Sequence, residues 1–159
     1  MLKNAFKVIF ILAFTVSITA CMNLGHLSYQ QARMLKKEGF VLTNDGWSLA
    51  LPENLLFGFD DYKIQPEQRI KLNQLATQLH KYDLEKIKVI GHTDNVGQAT
   101  YNQELSKKRA QTVANIFLAQ GYKASNIQII GRAADQPMLS NDTEANRAIN
   151  RRVNVTIIP

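Results

Sequence analysis

From about residue 55 to the C-terminus, apolar positions switch repeatedly between a period of two and a period near 3.6, the signature of strands alternating with amphipathic helices. Leu55-Leu56-Phe57-Gly58-Phe59 predicts a short buried strand. Pro66 opens a helix whose Leu72, Leu75, Ala76 and Leu79 fall at i, i+3, i+4 and i+7. A strand follows over 87–91, where Val89 and Ile90 add β-branched weight. A second helix is predicted over 101–120, with Leu105, Ala110, Val113, Ala114 and Phe117 on one face and Gly121 as its stop. A third strand spans 126–131. After a polar loop containing Pro137, Asn141 and Asp142, the alternating Val153, Val155 and Ile157 form the last strand. This β-α-β-α-β-β order predicts an α/β (α+β) sandwich with helices packed on one face of a mixed sheet.

Upstream, Ser28-Tyr29-Gln30-Gln31 reads as a capping box, with Leu27 and Ala32 as a hydrophobic staple. A short helix over 29–38 is expected, ending at Gly39. Its apolar stripe of Ala32, Leu35 and Met34 is too narrow to hold three turns together without a surface to pack on. Residues 40–43 and 47–51 then form a hairpin around Asn44-Asp45-Gly46. Two readings of this hairpin stay open. It extends the main sheet, or Leu35, Phe40 and Trp47 make a movable apolar arm that covers the domain or leaves it for a partner.

The first residues have a different pattern. Lys3 and Lys7 precede an apolar run over 8–18, and Ala20 stands just before Cys21, the order of a secretory signal. The run is too short for a permanent membrane span, which takes about 20 residues. Ile18-Thr19-Ala20-Cys21 resembles the lipobox of bacterial lipoproteins, in which the cysteine is acylated and becomes the mature N-terminus. That resemblance implies a signal peptide at 1–20, and the downstream pattern divides the rest into a lipidated linker and arm at 21–52 and a main domain at 53–159. Multiple acyl chains on Cys21 would anchor the protein durably. Met22 stands where an aspartate would favour inner-membrane retention, so the sorting rule implies the periplasmic face of the outer membrane.

Composition narrows the function classes. Hydrophobic residues are 45% and charged residues 20%, so the chain should fold around a core. The formal charge of +6 falls to +4 once Lys3 and Lys7 are removed, a mild excess that gives no argument for nucleic acid in an exported protein. The only cysteine is the lipidation candidate, and His26, His80 and His92 have no metal-ligand spacing. No cofactor is expected. His92 is expected to be structural or rim-lining.

The junction after the second predicted strand is specific enough to suggest a family. Gly91-His92-Thr93-Asp94-Asn95-Val96-Gly97, Tyr101-Asn102-Gln103-Glu104-Leu105-Ser106-Lys107-Lys108-Arg109-Ala110 and Asn150-Arg151-Arg152-Val153 resemble three signatures of OmpA-C-like peptidoglycan-binding domains, G-x-T-D-x-x-G, Y-N-x-x-L-S-x-x-R-A and N-R-R-V. The tract from Leu35 to Phe57 narrows the resemblance to YfiB-type signalling lipoproteins. By that resemblance the ligand is meso-diaminopimelate in an uncrosslinked stem peptide, whose end carries both an ammonium and a carboxylate. Asp94 would accept from the ammonium and Arg109 would clamp the carboxylate, a planar two-point geometry that lysine reproduces badly. Gly97 would let the loop backbone approach, Leu105 would supply an apolar wall, and Phe59 and Asp60 match a loop that contacts the stem peptide. The competing reading of Asp94 and Arg109 is a plain surface salt bridge, worth little. Arg151-Arg152 is read as structural, with one arginine facing inward to pair with a carboxylate and brace the fold.

Three functions are weighed. A signalling lipoprotein of this type captures a periplasmic repressor (YfiR-type) and so releases an inner-membrane diguanylate cyclase, raising cyclic-di-GMP and favouring biofilm. A structural tether would join outer membrane to wall, as the peptidoglycan-associated lipoprotein of the Tol-Pal system does. A hydrolase has the least support, because no nucleophile, metal set or G-x-S-x-G elbow is visible. Leu35, Phe40 and Trp47 distinguish the first two, since a plain tether needs no movable arm. A homodimer stays open.

Overall fold

The computed structural model describes residues 26–57 and 61–158. Eleven elements follow one another: α1 (Tyr29–Lys37), β1 (Val41–Thr43), β2 (Gly46–Pro52), α2 (Glu53–Leu56), α3 (Pro66–Lys81), β3 (Ile87–His92), α4 (Ala99–Ala119), a 3-10 turn (Ala124–Asn126), β4 (Ile127–Gly131), α5 (Glu144–Asn150) and β5 (Arg152–Ile157). The strands form one sheet in the order β1-β2-β5-β3-β4, with β3 and β4 parallel and the other neighbours antiparallel.

Strand alternation divides the sheet into two faces. Ile87, Val89, Val153, Val155 and Ile157 point toward the helices, where they meet Leu72, Leu75, Ala76 and Leu79 of α3 and Val113, Ala114 and Phe117 of α4. The two helical periods read from the sequence therefore supply the lid of the core. Pro66 occupies the first position of α3, where a missing N–H is harmless. The Ser28 capping box forms as expected: Ser28 Oγ accepts from Gln31 N–H, and the Gln31 side chain accepts from Ser28 N–H.

Over 55–57, the described part of the strand expected at 55–59, there is no strand of the sheet. Residues 53–56 form a single helical turn, and Phe57 makes only an isolated bridge with Ile64. The edge of β5 that such a strand would need is already taken by β2, paired from Trp47↔Ile157 to Pro52↔Arg152. The second strand of the hairpin is thus the first strand of the β-α-β-α-β-β order. The hairpin is part of the main sheet, and Leu35, Phe40 and Trp47 are core residues at 0%, 3% and 2% exposure. The polar loop after β4 also contains a helix, α5, capped by Thr143 Oγ accepting from Asn146 N–H at 3.1 Å.

On the face away from α3 and α4, His92 is buried and neither ring nitrogen has a hydrogen-bond partner among the described residues. Burial, reinforced by the nearby Arg152 and Arg132 charges, pushes its pKa from 6.5 down to about 3. The folded state therefore takes up this proton at lower pH than the unfolded chain. Its contribution to stability is complete above pH 6.5 and is lost progressively as pH falls toward 3. At about 1.4 kcal/mol per pKa unit, the parent should lose about 2 kcal/mol between roughly pH 6.5 and 5. In urea titrations His92→Gln should flatten that limb; equal slopes for the two proteins would show that the histidine does not carry it.

Candidate functional site

A cleft of about 670 Å³ opens where β3 ends and α4 begins, closed on its other sides by α2 and α5. Asp94 leaves β3 into a short turn in which its Oδ1 accepts from Val96 N–H at 2.9 Å. Asn102, from the first turns of α4, donates to Val96 O at 2.9 Å and pins the same loop. Gly97 takes φ +94° there, the left-handed region that a side chain would strain.

Arg109 lies two turns further along α4, and its position is set by the approach of that helix to the sheet. A Cβ on Gly91 would lie 1.9 Å from Ser106 O, and one on Gly131 would lie 2.7 Å from Ser106 Oγ. Ser106 Oγ in turn donates to Gln103 O at 2.9 Å and accepts from Ala133 N–H at 3.1 Å, joining α4 to the chain beyond β4. Held this way, Arg109 is only 2% exposed. Its Nε donates to Asp61 O at 3.1 Å, its Nη2 pairs with Glu53 Oε1, and its guanidinium lies 5.3 Å from the Phe57 ring centre.

Asp94 and Arg109 share the cleft without touching one another. Arg151 and Glu53 link them: Arg151 reaches Asp94 Oδ2 at 2.6 Å, Glu144 Oε1 at 2.7 Å and Glu53 Oε2 at 3.0 Å. Burial disfavours the Arg151 charge, yet the hydrogen bonds donated to Asp94 and Glu144 outweigh it and hold the guanidinium above its ordinary pKa. Glu144 is held below its ordinary value by the hydrogen bonds it accepts from Arg151 and Arg147. Asp61 is lowered likewise by the N–H groups of Lys63 and Tyr62.

Gly97 and Leu105 line the cleft with Asp94 and Arg109. Phe59, Asp60 and Cys21 lie outside the described residues. Two residues central to the cleft, Glu53 and Arg151, were not expected there. Arg151 belongs to the N-R-R-V motif and pairs with three carboxylates, so the carboxylate partner expected for one of the two arginines belongs to this one, which lines the cleft. Arg152 is the inward-facing arginine, but it donates to the carbonyls of Asn150 and Gln136 and not to a carboxylate. Its burial lowers its pKa to about 10. Glu53 had no sequence signal beyond its place after Pro52.

Three carboxylates and two guanidiniums thus form a chain along one wall, with Leu105 and Phe57 as apolar surface. Such a chain suits a small zwitterion, which can exchange into it by offering one cation and one anion for the partners it displaces.

The sequence profile described as the OmpA family matches residues 56–151. Outer-membrane lipoprotein YfiB of Pseudomonas aeruginosa is 37% identical over 131 residues, covering 82% of this chain and 78% of that one, so the likeness extends beyond the profile. Among solved structures, the cell wall anchor of the T6SS from Pseudomonas aeruginosa matches with TM-score 0.66 at 28% identity, over 80% of this chain and 92% of that one. The peptidoglycan-associated lipoprotein from Burkholderia pseudomallei matches with TM-score 0.59 at 27% identity, over 69% and 89%.

Proposed function

The chain belongs to the OmpA family, and from that premise we propose that it is an outer-membrane-anchored periplasmic lipoprotein that binds peptidoglycan non-covalently. The cleft takes the diaminopimelate end of an uncrosslinked stem peptide. The observation that carries this reading is the placement of Asp94 and Arg109 in one cleft, each already engaged by an exchangeable partner of opposite charge. The ligand ammonium replaces Arg151 at Asp94, and the ligand carboxylate replaces Glu53 at Arg109. Arg151 and Glu53 keep each other and Glu144 as partners, so no charge is stranded when the ligand enters. The test is pelleting of the protein with purified diaminopimelate-type sacculi and its competition by free meso-diaminopimelate. Pelleting that the free amino acid does not reduce would place the ligand contact elsewhere.

Residues 1–20 act as the signal peptide, and Cys21 carries the acyl chains that hold the mature protein on the periplasmic face of the outer membrane. No helix among the described residues is long and apolar enough to cross a membrane. Cys21→Ser should abolish incorporation of labelled palmitate and move the protein from the outer-membrane fraction to the soluble one, while sacculus binding persists. Palmitate labelling equal to the parent's would remove the lipid anchor.

The likeness to outer-membrane lipoprotein YfiB supports a finer role, in which residues 21–52 form the arm of a signalling module. Released from the 53–159 domain, the arm captures a periplasmic repressor of the YfiR type and frees an inner-membrane diguanylate cyclase. A structural tether is the second reading, favoured by the burial of Leu35, Phe40 and Trp47 in the core and by the likeness to the peptidoglycan-associated lipoprotein. Leu35→Pro, which breaks α1, discriminates the two. It raises cellular cyclic-di-GMP, with the rise cancelled by Trp47→Ala, if the arm signals; it leaves cyclic-di-GMP unchanged if the protein only tethers.

A further inference from the structure

The described chain begins at the pole of the domain opposite the cleft. Gln31 of α1 donates to Tyr82 O at the C-terminal end of α3, and the nearby groove of Leu27, Asp83, Lys86 and Ile158 lies where β3 starts and β5 ends. The cleft lies where β3 ends and β5 starts. About one strand length, roughly 20 Å for six residues, separates the two poles.

Helix α1 is exposed at this far pole. It contains Arg33, Lys36 and Lys37, all exposed, and no acidic residue. Its apolar positions are already used, since Ala32, Met34 and Leu35 are buried in the domain. Tyr29 is 63% exposed at its first turn and falls on the stripe of Arg33 and Lys36 at i, i+4, i+7. Glu38, just after the helix, is the acid nearest the bases in sequence. Tyr29 follows Cys21 by eight positions, at most about 28 Å of extended chain.

We propose that the basic face of α1 is a docking surface for the anionic phospholipid leaflet that holds the anchor, orienting the domain with its cleft toward the wall. This proposal rests on the lipoprotein reading for its geometry. The chemistry is electrostatic, with the bases facing lipid phosphates and Tyr29 at the headgroup level. The helix does not insert, because its apolar stripe stays in the core. Each base near an anionic surface strengthens partitioning about fivefold, so three give on the order of a hundredfold at low salt, and the effect fades within a Debye length.

The experiment uses the full mature chain as Cys21→Ser, so vesicle binding is measured without the anchor and is judged separately from lipidation. It is sedimented with vesicles of phosphatidylcholine alone or mixed with phosphatidylglycerol, at low and high salt. The expected result is at least tenfold stronger partitioning to the anionic vesicles, lost at high salt. The combined Arg33→Gln, Lys36→Gln and Lys37→Gln variant should lose at least tenfold of it, with sacculus pelleting unchanged and the protein still unfolding cooperatively, its thermal transition lowered only by loss of the Lys36 contact with the Trp47 ring. Tyr29→Ser, which spares the charges, should weaken binding by a smaller factor. Equal partitioning to both vesicles, or a neutralised variant that binds like its parent, overturns the proposal. Capture of an acidic periplasmic protein through the same three residues, without vesicle binding, overturns it as well and assigns the face to a protein partner. Failure of palmitate labelling would instead remove the anchor and leave the vesicle result standing.

Discussion

Asp94→Asn and Arg109→Lys each weaken pelleting with diaminopimelate-type sacculi about ten- to a hundredfold while the protein still unfolds cooperatively. These substitutions suit the surroundings of each group. Asn keeps an oxygen to accept from Val96 N–H and so preserves the turn, but it removes the charge that an ammonium needs. Lys keeps a cation beside Glu53 but cannot also donate to Asp61 O in the arginine geometry. Truncation to alanine is a poorer test at position 109, because it would deprive half-buried Glu53 of one partner and destabilise the fold for reasons unrelated to the ligand. A hydrogen bond to a charged group contributes about 1.5 to 3 kcal/mol, which sets the expected range. If both variants pellet like the parent, the stem-peptide site lies elsewhere. If neither folds, the two residues serve the structure alone.

Gly91→Ala should be the most damaging of the glycine-to-alanine changes among the described residues. The new Cβ would lie 1.9 Å from a backbone oxygen, and no rotamer change relieves a clash with Ser106 O. Helix α4 must move away from β3 or the strand must bend, at a cost of about 3 kcal/mol or more, above the usual range for core overpacking. Ser106→Ala provides the comparison. It loses only the hydroxyl contacts to Gln103 O and Ala133 N–H, about 1 to 2 kcal/mol. Urea denaturation of the two variants reads the difference, and a Gly91→Ala midpoint no lower than that of Ser106→Ala would contradict the close approach. Arg109 follows Ser106 by three residues, so a folded Gly91→Ala protein should also bind sacculi poorly.

The parts of this fold that were legible in the sequence are those fixed by local periodicity. Leu72 to Leu79 and Leu105 to Phe117 announce α3 and α4, and Val153, Val155 and Ile157 announce β5, because burial on one face imposes the spacing. That Asp94 and Arg109 converge on one cleft was legible through the motifs surrounding them. Residues 55–57 were not, since a run of three apolar residues fits a helical turn or a strand equally well. Only the pairing of β2 with β5, about a hundred residues apart in sequence, decides against the strand. Glu53 and Arg151 were hidden for a related reason. Glu53 meets Arg109 from 56 residues away, and Arg151 meets Asp94 from 57, so nothing near either residue in sequence forecasts the partner.

The antiparallel pairing of β2 with β5 also determines how the domain bears mechanical load. If the proposed lipid anchor at Cys21 and wall contact at the cleft both hold the protein, the domain is pulled from opposite poles, and the pull reaches the sheet through β1 and β2. It then acts along the strand axes, so the six register pairs from Trp47↔Ile157 to Pro52↔Arg152 are sheared together and are not unzipped one by one. Helix α1, which has no strand ladder of its own, yields first under tension. The sheet and the cleft behind it stay intact until the whole ladder fails, and rupture is then governed by the rate of forced unfolding and not by equilibrium stability.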